Sequence, residues 1–133
     1  MMTKYPIRIG IVGVGNCASS LLQGIEFYRE NSDKNRNGVP LGLMHLEIGG
    51  YKPWDIEVGA AFDIDRRKVG KPLKEAIFAR PNCTQAIYPQ FNDSAVVVSM
   101  GEVLDGVFEH MRDYPDDRAR MMVEEFIAGK RER

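Results

Sequence analysis

Ile7-Arg8-Ile9-Gly10-Ile11-Val12-Gly13-Val14-Gly15-Asn16-Cys17-Ala18-Ser19-Ser20 runs from an apolar, β-branched stretch through a glycine turn into a helical pattern. Within it Gly13-x-Gly15-x-x-Ala18 fits the G-x-G-x-x-G/A fingerprint of a dinucleotide-binding turn. The first glycine permits a tight strand-to-helix turn, the second lets a pyrophosphate approach the backbone, and the small third residue lets helix and strand pack closely. The anion would rest on unpaired N–H groups at the helix N-terminus, where the dipole favours negative charge.

The near-continuous apolar run Ile7–Val12 predicts a first strand central in a parallel sheet covered on both faces. The helix after it starts near Cys17 and carries Ala18, Leu21, Leu22, Ile25 and Tyr28 at the spacing of a buried stripe. Asn31–Pro40 is loop by composition, and Leu41–Asp55 is punctuated by Gly42, Gly49, Gly50 and Pro53, so 31–55 reads as an insertion. A second strand, Ile56–Phe62, ends in Asp63-Ile64-Asp65 and sets a carboxylate where a dinucleotide ribose would lie. Asp63 stands 48 positions after Gly15, against roughly 20 in the simplest form of the motif. The insertion accounts for the excess, because loop-closure entropy grows only logarithmically with length.

Further on, Pro72 suits the first turn of a short helix over Leu73–Phe78, and Ala95–Val98 reads as a third strand. From Asp116 to a C-cap at Gly129 a last helix places Met122, Val123, Phe126 and Ile127 on one side, and no further apolar strand follows. The fold class is therefore α/β, a partial Rossmann-type doubly wound parallel sheet with helices on both faces.

At 133 residues the chain has room for one compact domain, read as an incomplete dinucleotide-binding domain over 1–133. Its net charge of −1 comes from interspersed acids and bases, which argues against nucleic acid and against a membrane surface as partners. No apolar run reaches the roughly 18 residues of a spanning helix and no signal-peptide pattern is visible, so a cytoplasmic location is expected. Cys17 and Cys83 lack metal-ligand spacing, and His45 and His110 are isolated, so no metal site is expected.

Several residues have two readings. Cys17 is a small residue in a tight turn or a thiol activated by a helix N-terminus. Arg66 and Arg67 could receive a 2′-phosphate, but Asp63 repels one, which favours NAD over NADP. Tyr51 and Trp54 either cover apolar surface or touch another subunit, and Met121-Met122 is core filling. Asp105 before Gly106 fits the ordinary use of Asp-Gly in a turn.

Taken together, Gly10–Leu21, Gly42-Leu-Met-His45, Ala60-Ala-Phe-Asp-Ile-Asp65 with Lys68-Val-Gly70, Ala76-Ile-Phe-Ala79 and Leu104-Asp-Gly106 resemble myo-inositol-1-phosphate synthase (inositol-3-phosphate synthase) in its shorter archaeal and actinobacterial form. The resemblance covers Ile7 to about Val107. It implies an NAD-dependent isomerase that converts D-glucose 6-phosphate to 1D-myo-inositol 3-phosphate by oxidation, enolisation, aldol cyclisation and reduction, with NAD recycled, for inositol lipids and related solutes. It also implies a homo-oligomer, tetrameric in the family. Gly13, Gly15, Asn16, Cys17, Ala18, Asp63 and Ile64 match family positions around NAD, and Asp105 with Gly106 match an element near the cofactor.

Pro72 departs from the Asp that actinobacterial relatives carry, which would remove a contact. The family's Leu-Pro-Val-Gly-Ser and Gly-Asp-Asp-x-Lys-Ser segments, which bear catalytic groups, do not occur in these residues. No catalytic residue transfers, so the chain is expected to hold the cofactor without the catalytic domain and to be inactive alone. The other function class consistent with this sequence is a non-catalytic regulatory or assembly module that pairs with a full-length synthase.

Overall fold

The computed structural model describes residues 5–31, 42–89, 95–103 and 113. Strand β1 (Ile7–Val12) leads into helix α1 (Asn16–Asn31), and β2 (Ile56–Asp63), helix α2 (Leu73–Ala76) and β3 (Ser99–Met100) follow. The three strands form one parallel sheet in the order β1-β2-β3. Two successive crossovers in the same direction place both helices on one face when each is right-handed. The core agrees with this: Ile11, Ala61 and Val98 from the strand regions cluster with Val14, with Ala18, Leu22 and Ile25 of α1 and with Leu73, Ala76 and Ile77 at α2. Full burial of side chains such as Leu22, Leu73 and Ile77 contributes about 1.5–3 kcal/mol each.

Register explains which strand residues enter that core. Ile7 pairs with Ile56 and Ile9 with Val58, then a bulge shifts the pairing so that Gly10 meets Ala60 and Ile11 meets Ala61. The extra residue in β2 is Gly59, and the shift brings Ala61 beside Ile11 on the core side. Val12 and Phe62, paired on the other face, are 87% and 36% exposed. Among the described residues β1 pairs only with β2, so it stands at one end of the order rather than at the centre the apolar run predicts.

Three other expectations shift. In α1 the buried residues are Ala18, Ser19, Leu22, Gln23, Ile25 and Glu26, while Leu21 is exposed. Polar Gln23 turns inward because the backbone of residues 85–88 lies against it and satisfies its amide. The third strand begins at Ser99, because the preceding valines are engaged by the turn before α2: Gly70 N–H donates to Val98 O, Val98 N–H to Lys71 O and Leu73 N–H to Val96 O. Helix α2 ends at Ala76 and gives way to turns.

The described part of the insertion is ordered by local bonds. Ile48 and Tyr51 exchange backbone hydrogen bonds around Gly49 and Gly50, both at positive φ (58° and 83°), which is the backbone of a tight two-residue turn. A 3₁₀ turn over Pro53–Asp55 follows, closed by the Lys52 N–H donating to Asp55 Oδ2 at 2.7 Å. Trp54 packs against the core, and its carbonyl accepts from Arg29, so this residue covers apolar surface of its own chain. The last helix predicted over 116–129, His110 and the Asp105-Gly106 pair lie outside the described residues.

Candidate cofactor-binding turn

The β1–α1 connection is short and glycine-bounded. Gly13 takes φ +90°, a conformation that L side chains rarely adopt, and its N–H continues the sheet by donating to Phe62 O at 2.8 Å. Gly15 differs: its φ lies outside the left-handed region, and a Cβ built on it would meet nothing within 4 Å. Neither backbone strain nor internal packing requires glycine there, whereas a ligand lying against the backbone would. Gly15 O accepts the Ser19 N–H at 3.0 Å, so α1 opens with Asn16, Cys17 and Ala18 in its first turn. Those three N–H groups have no acceptor within the helix. They and the dipole of a 16-residue helix give this terminus free donors and partial positive charge, a setting that favours an anion.

Between the two glycines, Val14 is completely buried and its peptide groups are fixed from below. Its N–H donates to Asp63 Oδ2 at 2.7 Å. Its carbonyl accepts from Lys68 Nζ at 2.6 Å and from Asn82 Nδ2 at 3.1 Å. Asp63 Oδ1 also accepts the N–H groups of Ile64 and Asp65, at 2.7 and 2.8 Å. A carboxylate has about four acceptor positions, so three backbone bonds leave room for one more donor such as a sugar hydroxyl. Lys68 Nζ sits 3.9 Å from Asp63 Oδ2, and burial pushes its pKa down while the Asp63 and Asp65 charges push it back up, with burial winning.

A second strap crosses the start of α1. Asn16 Oδ1 accepts the Cys83 N–H at 2.8 Å and the Thr84 hydroxyl at 3.1 Å, and its Nδ2 donates to Cys83 Sγ at 3.4 Å. Asn16 therefore offers a ligand its backbone, its side chain being engaged by residues 83–84. Cys17 and Cys83 are both free and exposed. Further along, Gln23 holds residues 85–88, and a half-open, mainly apolar pocket of about 280 Å³ lies between this strap and α1, lined by Ser20, Gly24, Phe27 and Tyr28 among others.

The structure thus gathers Gly13, Gly15, Asn16, Cys17 and Ala18 in one turn, and ties that turn to Asp63 at the end of β2, with Ile64 next to it. Asp65 and Arg67 form a separate pair: Arg67 Nε donates to both Asp65 oxygens at 2.9 and 3.1 Å. Arg67 is consequently committed to a carboxylate rather than held free for a phosphate. Sequence reasoning missed Lys68, Asn82 and Gln23 as members of this region. Lys68 was legible only as part of a motif, and nothing in the spacing marks Asn82. Among the described residues no group of three or more His, Cys, Asp and Glu is placed to hold a metal, and no helix is long and apolar enough to cross a membrane.

No protein-family model matches the chain. Individual proteins do. The chain is 50% identical over 107 residues to inositol-3-phosphate synthase of Mycolicibacterium smegmatis, covering 80% of the chain and 28% of that protein. It is 47% identical over 118 residues to inositol-3-phosphate synthase of Corynebacterium glutamicum, covering 87% and 31%. Among solved structures, Ari2 superposes with a TM-score of 0.67 at 34% identity, over 81% of this chain and 30% of that one. The chain spans less than a third of the length of the curated relatives it matches, and across 80% of its own length it matches homologues named inositol-3-phosphate synthase at 46–50% identity.

Proposed function

We propose that this chain, homologous to a segment of inositol-3-phosphate synthase, is the NAD-binding portion of such an enzyme, acting in the isomerisation of D-glucose 6-phosphate to 1D-myo-inositol 3-phosphate. The observation that carries the cofactor assignment is Gly15, a glycine that neither its φ nor its neighbours require, set at the mouth of a helix N-terminus. Gly13 shapes the turn, and the N–H groups of Asn16, Cys17 and Ala18 receive the pyrophosphate. Asp63 receives a ribose hydroxyl on its remaining acceptor position, with Ile64 beside it. Asp105 and Gly106 join this set on the strength of the resemblance alone.

NAD, when bound, supplies the oxidation of the sugar phosphate and the return of the hydride. The residues of this chain bind and orient it, and none is assigned to proton transfer or to oxyanion stabilisation. The reading includes work in the cytoplasm and within a homo-oligomer, and the 133 residues alone turn over no substrate. Calorimetric titration of the chain with NAD should give saturable heat. Absence of binding at millimolar NAD would remove the cofactor assignment, and inositol phosphate formation by the chain alone would show that its catalytic groups lie within it.

A further inference from the structure

Lys68 is 4% exposed, an unusual setting for an ammonium group, and its side chain turns to the glycine turn and its support. It donates to Val14 O at 2.6 Å and to Asn82 Oδ1 at 2.9 Å, with the Asp63 carboxylate 3.9 Å away. Asn82 closes the arrangement by donating to the same Val14 carbonyl at 3.1 Å and to Ile77 O at 2.9 Å. A hydrophobic residue would fill this space without desolvating a charge, so packing alone does not account for a lysine.

We infer that Lys68, with Asn82, is the positioning residue of the phosphate turn, clamping the Val14 carbonyl so that the amides after it are already aimed at a pyrophosphate. The inference rests on the NAD-binding reading above. Glycines at 13 and 15 make the turn the most freely rotating part of the β1–α1 connection, and ordering it only on binding would weaken affinity. With Asp63 holding the Val14 N–H and Lys68 holding its carbonyl, both ends of the residue are fixed before a ligand arrives. The ammonium also offsets the Asp63 charge, which would otherwise repel a phosphate group nearby.

The test compares NAD, ADP and adenosine as ligands of the full chain, followed by calorimetry or ligand-observed NMR, in wild type, Lys68→Met, Lys68→Arg and Asn82→Ala, with circular dichroism to verify folding. A clamp on the phosphate turn predicts that K68M loses about tenfold in affinity for NAD and ADP, the scale of one charge-assisted hydrogen bond, and less than about twofold for adenosine. K68R should recover part of the ADP affinity because it keeps the charge and a donor. N82A, which leaves the lysine in place, should lose about threefold for NAD and ADP and not for adenosine, and decides the matter if K68M does not fold. Equal losses for all three ligands would assign Lys68 to general stability and overturn the inference, as would unchanged ADP affinity in the folded variants. Failure of the wild-type chain to bind NAD would overturn the cofactor reading first, and this inference with it.

Discussion

The Val14 N–H and the Asp63 carboxylate, 49 residues apart in the chain, meet at 2.7 Å and join the glycine turn to the end of β2. The same carboxylate accepts the Ile64 and Asp65 amides, so it organises its own loop as well as its neighbour's. Replacing Asp63 with Ala orphans the N–H of a fully buried residue and removes the charge nearest Lys68. We expect a loss of about 1–3 kcal/mol in stability, read as a lower urea midpoint. Asp63→Asn keeps one acceptor oxygen and should lose less; equal midpoints for wild type and D63A would show that the bond contributes nothing.

The two glycines of the turn should separate under substitution. Gly13→Ala forces a side chain onto φ +90° and should cost about 1 kcal/mol or more of stability. Gly15→Ala meets neither strain nor contact within 4 Å, so its stability should stay within about 0.5 kcal/mol of wild type while NAD affinity falls. Thermal melts and an NAD titration on the same samples check both. A G15A chain that binds NAD as wild type does would mean that no ligand lies against this backbone.

How much of this was legible in the sequence depends on how far each residue's partner lies. The strand, glycine turn and helix stand out because their signals are local: an apolar run, two glycines at fixed spacing and a change of period. The place of Asp63 at the end of β2 was legible on the same grounds, but its bond to Val14 was not. Lys68, Asn82 and Gln23 belong by residue type to a solvated surface, and what holds each in place is a partner 54, 68 or 64 residues away in the chain. Leu21 shows the converse error, an apolar residue at stripe spacing that ends 45% exposed because Gln23 occupies the inward position. The third strand was displaced because Val96 and Val98 bond to the turn at 70–73, a pairing without a local signature.

Gln23 supplies the next prediction. It is 3% exposed, and its amide is fully engaged: Nε2 donates to Ser19 Oγ and Gln85 O, both at 3.2 Å, and Oε1 accepts the Ile87 and Tyr88 N–H groups at 2.7 and 2.9 Å. Gln23→Leu keeps the volume and deletes all four bonds. Stability should fall by about 1–2 kcal/mol, less than for a wholly buried loss because the strap is near solvent. Amide hydrogen exchange should accelerate at Ile87 and Tyr88 and stay as in wild type in β1; unchanged exchange at those two amides would show that the strap is held by something else.

The acid limb of stability should be set in part by Asp65. Burial by itself would raise the pKa of this carboxyl, but the Arg67 side-chain bonds, the Arg67 N–H at 2.8 Å and the charges of Arg67 and Lys68 together hold it below its ordinary value of 3.8. A carboxyl whose pKa is lower folded than unfolded binds protons more tightly in the unfolded chain. Its contribution is therefore complete above the unfolded value and is lost as pH falls through the folded one. Arg67→Gln removes the paired charge, leaving burial and the backbone bond to act on Asp65. The Asp65 pKa should rise, so R67Q should be less stable than wild type at neutral pH. The gap should narrow as pH falls through the wild-type folded pKa, and the lower starting stability should bring the acid midpoint to higher pH. Because the Arg67 side chain is 28% exposed and Asp65 only 9%, the difference should persist in moderate salt, which screens surface pairs more than buried ones. Circular dichroism followed from pH 7 downward at fixed temperature reads the two midpoints, and coincident acid transitions would show that this pair does not govern the acid limb.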